Sequence, residues 1–141
     1  MLIIKFLLVL IFILLSLLHF YWGAGGKWWL DNSLPIDIEN ENIKYPSSGL
    51  TYLVAIGLLF FAMNIACFSN LIVCPFPIHL SKYVVYVLAL ILILRVVGDF
   101  KYFGLFRKVK NTTFAKYDVL IYTPLCLALF ILTILLIVNN S

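Results

Sequence analysis

Four long stretches of this chain hold almost nothing that favours water, and the first, residues 2–22, has Lys5, Ser16 and His19 as its polar interruptions. At about 1.5 Å per residue such a run makes a helix of about 31 Å, the thickness of a bilayer's hydrocarbon core. Residues 50–68, 82–100 and 119–138 form three further runs of comparable length, the second of these interrupted by Arg95. Lipid offers the backbone no hydrogen-bond partners, so runs of this length are expected as helices, which bond internally. The expected architecture is therefore all-α, a polytopic membrane four-helix bundle spanning residues 1–141 with no appended soluble domain.

Composition excludes the alternatives. Charged residues make up 11% of the chain and hydrophobic ones 65%, whereas soluble domains carry about a quarter charged residues. Ten Lys and Arg against six Asp and Glu give a net charge of +4, but the basic residues flank apolar spans, where they set topology and meet anionic headgroups. Membrane lipids are the expected partners, together with a second copy or another membrane subunit, and nucleic acid is not. The first run begins like a signal peptide, with Lys5 ahead of apolar residues. It is longer than the usual apolar region of such peptides and ends in bulky His19-Phe20-Tyr21-Trp22, so an uncleaved anchor is expected.

Four crossings place both termini and the 70–81 connection on one side, with the 23–49 and 101–117 connections on the other. The first side carries Lys5 and Lys82. The second carries Lys27, Lys44, Arg95, Lys101, Arg107, Lys108, Lys110 and Lys116, two against eight. The positive-inside rule puts the basic connections in the cytoplasm and both termini outside. On this topology the Asn111-Thr112-Thr113 sequon faces the wrong compartment and is incidental. The first cytoplasmic connection opens with Gly23-Ala24-Gly25-Gly26, sets Trp28 and Trp29 at headgroup depth, and continues as a solvated loop. The second interleaves basic and aromatic residues, as an interfacial segment held by lipid phosphates would. Pro124 lies too deep in the fourth run to be its first residue, so a kink is expected there. Cys67, Cys74 and Cys126 lie in or beside apolar segments without C-x-x-C spacing and are expected as buried thiols, with a Cys67–Cys74 bridge as the alternative. Asn64 is expected to join helices.

Polarity is matched in depth at the cytoplasmic end: His19 on the first helix, Arg95 and Asp99 on the third, Asp118 and Tyr122 on the fourth. Arg95 and Asp99 share a helix face, as do Asp118 and Tyr122. Charges at membrane depth are costly unless paired or facing a wet cavity, so a site is sought here. Two readings stay open. In the simpler, Arg95 pairs with Asp99 or Asp118 to join helices, and His19 is a hydrogen-bonded helix-end histidine. In the other, His19, Asp99 and Asp118 are catalytic groups, while Arg95, Trp22, Trp28, Tyr102 and Tyr122 contact a substrate or ligand, roofed by Trp22, Trp28 and Trp29. A metal or cofactor is not expected, because the ligand spacing is missing and His79 lies across the membrane from His19.

The motifs His19-x-x-Trp22-Gly23, Gly25-Gly26-x-Trp28, Arg95-x-x-Gly98-Asp99-Phe100-x-Tyr102-x-Gly104-x-Phe106, Thr113-Phe114-Ala115-x-x-Asp118 and Tyr122-x-Pro124-Leu125-Cys126 resemble a family of small bacterial four-helix integral membrane proteins known by a domain-of-unknown-function label. The resemblance covers nearly the whole chain. It implies the four-helix fold and the bacterial inner membrane, and it implies no activity. The functional expectation is a membrane protein that binds a lipid or small anionic amphiphile at its cytoplasmic face. The alternative is a membrane-embedded enzyme acting on a lipid-soluble substrate, with His19 as acid or base and Arg95 as anion clamp.

Overall fold

In a computed structural model of the chain, which describes residues 1–37, 42–43, 45–75, 77–98, 104–108 and 110–140, the four apolar runs are helices. α1 is Leu2–Gly23, the short α2 is Leu30–Ser33, α3 is Ser48–Phe68 and α4 is Ile78–Val97. The fourth run is built from α5, Thr113–Tyr117, a π-turn over Asp118–Tyr122, and α6, Thr123–Asn140. Between α2 and α3 lies an antiparallel pair of two-residue strands, β1 (Ile36–Asp37) and β2 (Asn42–Ile43), with Ile36 opposite Ile43.

Local signals explain where the helices start. Ser47, following Pro46, caps α3 by accepting the Leu50 amide at 3.3 Å, so the helix begins two residues before the apolar run suggests. Pro77 stands at the N-cap of α4, which starts at Ile78 rather than near residue 82. Thr112 accepts the Ala115 amide at 3.1 Å and opens the last helical stretch at Thr113, six residues early. The stretch from Thr113 to Asn140 runs for 28 residues.

The long helices alternate in direction. At one end Lys5 Nζ donates to the Ser69 carbonyl at 3.0 Å and to Asn140 Oδ1 at 3.3 Å, placing the start of α1 beside the ends of α3 and α6. This accounts for a lysine inside the first apolar run, because a cation is favourable where helix carbonyls end. Between the ends, Leu8 and Phe12 of α1, Ala62 and Ile65 of α3, Val85, Leu88 and Leu92 of α4, and Leu129 and Leu136 of α6 form the core. α1 lies closely along α3, where Ser16 donates to the Ala55 carbonyl at 2.7 Å. Small residues let backbones approach and a buried hydroxyl then finds a partner across the gap. Leu10, Leu14, Leu17, Leu53, Leu90 and Leu94 point outward, which in water would be a liability and in lipid is the expected surface.

Two expectations change. Cys67 and Cys74 form a disulfide, with Cα atoms 5.2 Å apart, and Cys126 is the free cysteine. Their reading as buried thiols is thus overturned, for a local reason: Asn70 takes φ +56° and the Leu71 amide returns to the Ala66 carbonyl at 2.9 Å, folding the chain back beside the end of α3. Asn64, expected to join helices, donates to the Phe60 carbonyl of its own helix at 2.8 Å, and its Oδ1 is buried with no hydrogen-bond partner among the described residues. The disulfide gives a direct check. Protein unfolded without reductant should take up one maleimide mass tag, at Cys126, and three after reduction; three tags before reduction would contradict the bridge.

Candidate functional site

At the end of the bundle opposite Lys5, the chain must bring a buried carboxylate to terms with lipid depth. Pro124 has no N–H to give to the carbonyl four residues back, and its ring crowds that carbonyl. The helix widens just ahead of it, so that the Thr123 amide bonds the Asp118 carbonyl five residues back. The expected perturbation at Pro124 is thus taken up as a π-turn, and an extra residue in one turn rotates the preceding side chains by about 100° relative to α6. Asp118 lies at the start of this turn and is 0% exposed.

Three groups converge on it. Arg95 Nη2 on α4 donates to Asp118 Oδ1 at 2.8 Å, the Gly104 amide donates to Oδ2 at 2.8 Å, and Arg107 Nη1 lies 3.5 Å from the same oxygen. Arg107 Nη1 also donates to the Gly104 carbonyl at 3.0 Å. The side chains of Arg95 and Arg107 are 28% and 10% exposed, so the pairs are largely withdrawn from solvent. A buried carboxylate is tolerable only when its lone pairs are satisfied in this way.

Backbone geometry brings Gly104 there. α4 stops at Gly98, whose φ is +88°, and the chain returns so that the Leu105 amide donates to the Val96 carbonyl at 2.9 Å. Gly104 also has φ +88°, and a Cβ at that position would run into the Gly98 Cα and stand 2.6 Å from the Val97 carbonyl oxygen. Glycine at 104 is therefore required both for the dihedral and for the close backbone approach.

A second, aromatic cluster ties the connection after α1 to the π-turn. Trp29 Nε1 donates to Tyr122 Oη at 2.8 Å, and Tyr122 donates to the Asn32 carbonyl at 3.2 Å. Ser33 Oγ stands 3.0 Å from both Tyr122 Oη and the Trp29 carbonyl. The Trp29 ring packs against Tyr117 at 5.0 Å and Phe114 stacks on Tyr122 at 6.2 Å. Trp29 holds φ +62°, a left-handed conformation that costs a bulky residue about 1–3 kcal/mol and persists because these contacts define it. Farther out, Tyr45 donates to Asp31 Oδ1 at 2.6 Å, and this hydrogen bond from the protonated phenol to a carboxylate holds the exposed Tyr45 above its usual range.

The residues expected at the site divide accordingly. Arg95 and Asp118 come together as an ion pair. Tyr122 sits one turn along from Asp118, facing the Trp29 loop. His19 Nδ1–H donates to Leu15 of its own helix at 2.8 Å, and its ring meets Trp22 edge-on at 5.0 Å. Trp22 Nε1 donates to the Trp28 carbonyl at 2.9 Å, while the Trp28 side chain is exposed. Of the three tryptophans expected as a roof, Trp29 is the one hydrogen-bonded to the π-turn. Asp99 and Tyr102 lie outside the described residues. Sequence reading missed the Gly104 amide and Arg107; the paired glycines of the Arg95-to-Phe106 motif were the signal for the first. Among the described residues no three His, Cys, Asp or Glu side chains gather as a metal site.

Beside the ion pairs, an open groove of about 580 Å³ is lined by Arg107, Lys110, Thr112, Lys116, Val119 and Leu120, among others. Another open depression, of about 550 Å³, lies at the disulfide end, lined by Cys67, Asn70, Val73, Cys74 and Ile78 among others.

A family model described as "Protein of unknown function (DUF3995)" matches residues 12–133. Comparison with curated proteins and with solved structures gives no match.

The role of Gly104 is testable by substitution. Gly104→Ala should lower unfolding stability in detergent by at least about 2 kcal/mol, from the dihedral cost and the collision with Gly98. Gly57→Ala, which meets nothing within 4 Å, should stay within about 0.5 kcal/mol.

Proposed function

Because this chain belongs to the DUF3995 family of proteins of unknown function, we propose from its own geometry that it is a multi-pass membrane protein which holds a lipid or small anionic amphiphile at the end carrying Asp118. The observation that carries this reading is the open groove beside the buried Asp118, which gathers Arg107, Lys110 and Lys116 above the exposed apolar Val119 and Leu120.

Two independent features support an orientation. Lys and Arg are concentrated in the connections at the Asp118 end, which the positive-inside rule assigns to the cytoplasm. The Cys67–Cys74 disulfide is at the other end, with both termini, and disulfides persist in oxidising compartments outside the cytosol. The proposed setting is a plasma membrane, bacterial by family resemblance, with both termini outside.

The site differs from the sequence expectation in one respect. Arg95 binds Asp118 and is better understood as holding the framework, leaving the groove side of the cluster to meet a ligand. The alternative enzyme reading, with His19 as acid or base, gains no support from the described contacts of that ring, a hydrogen bond to its own helix and an edge contact with Trp22.

Native mass spectrometry of the protein released from nanodiscs of equal phosphatidylglycerol and phosphatidylcholine tests the proposal. Retained lipid should be enriched several-fold in the anionic species; retention in the nanodisc ratio would refute anion selectivity.

A further inference from the structure

The groove beside Arg107 has the features of a built site, and they point to one chemistry. Arg107 is nine-tenths buried yet lines the groove, and its Nε is buried with no hydrogen-bond partner among the described residues. Its Nη1 is engaged by the Gly104 carbonyl and Asp118. Lys110 and Lys116 are exposed at the groove, so they add cationic donors that remain mobile enough to close on an anion. Thr112 and Thr113 line the same opening with hydroxyl groups. Below these, Val119 and Leu120 are exposed, on a helix that continues through lipid-facing apolar residues.

We propose that this groove is the binding site for a phosphate-bearing lipid, its phosphate held by Arg107, Lys110 and Lys116 and its first acyl carbons laid along Val119 and Leu120. This rests on the anionic-amphiphile reading above and names its ligand class and place. A phosphodiester presents a tetrahedral set of oxygens that can take donors arriving from three separate side chains, whereas a fatty-acid carboxylate presents two oxygens in one plane. Free phosphate would use the cations but not the apolar floor. Juxtamembrane lysines and arginines are each worth enough to give a several-fold change in affinity for anionic lipid.

The test uses the intact chain in phosphatidylcholine nanodiscs doped with phosphatidylglycerol or with oleate, read by native mass spectrometry. The proposal expects phosphatidylglycerol to be retained, oleate to be lost, and inorganic phosphate not to displace the lipid. It expects a Lys110→Gln/Lys116→Gln variant to retain about tenfold less phosphatidylglycerol and a Lys110→Arg/Lys116→Arg variant to keep it. Both positions are exposed, so neither pair of substitutions disturbs the core. Undiminished retention by the glutamine variant would overturn the groove assignment while leaving the anionic-amphiphile reading intact. Equal retention of oleate would overturn the phosphate class, and displacement by inorganic phosphate would overturn the lipid in favour of the free ion. No enrichment of phosphatidylglycerol in the wild-type chain would defeat both readings.

Discussion

An ionised carboxylate removed from water costs several kcal/mol unless charges and hydrogen bonds replace its hydration. Asp118, with no exposed surface, meets that constraint through three segments at once: the end of α4 through Arg95, the returning chain through the Gly104 amide, and Arg107 beyond it. Much of the local architecture follows. The two left-handed glycines are needed to turn the chain back sharply enough for an amide to reach Oδ2, and the π-turn ahead of Pro124 sets the direction of the aspartate. Tyr122, at the other end of the same turn, faces the Trp29 loop, so the connection after α1 is fastened to the same few residues.

The two ends of the bundle use polar groups differently. At the disulfide end, Lys5 satisfies a helix-terminal carbonyl and an asparagine, which neutralises local partial charge and leaves little over. At the Asp118 end, Arg107, Lys110 and Lys116 gather at one open groove. Basic residues gathered at a membrane surface draw anionic lipid, and it is this clustering at a groove that makes one end a candidate site and the other a fastening.

Fold class was legible because the signal is strong and redundant: four runs long enough to cross a bilayer, in a chain too poor in charge for water. Helix starts were less legible, since Ser47, Pro77 and Thr112 act through caps that lie outside the apolar runs. Of the candidate site, the Arg95 and Asp118 partnership could be anticipated because depth and charge cost both favoured it. Arg107 could not, because the sequence does not show that the chain after Gly98 doubles back; read linearly, Arg107 is one more interfacial cation. The cysteines misled for a related reason: a bridge over seven residues depends on Asn70 adopting a left-handed turn, which composition does not signal.

The most direct test of Asp118 as the organiser of this end is a double-mutant cycle of Arg95→Met and Asp118→Asn, measured as reversible unfolding free energy in bicelles. Each single change should cost about 1.5–3 kcal/mol, because it removes a charge-assisted hydrogen bond from a largely buried cluster. The pair should show a coupling of about 1–3 kcal/mol, and costs that add to within about 0.5 kcal/mol would contradict the account.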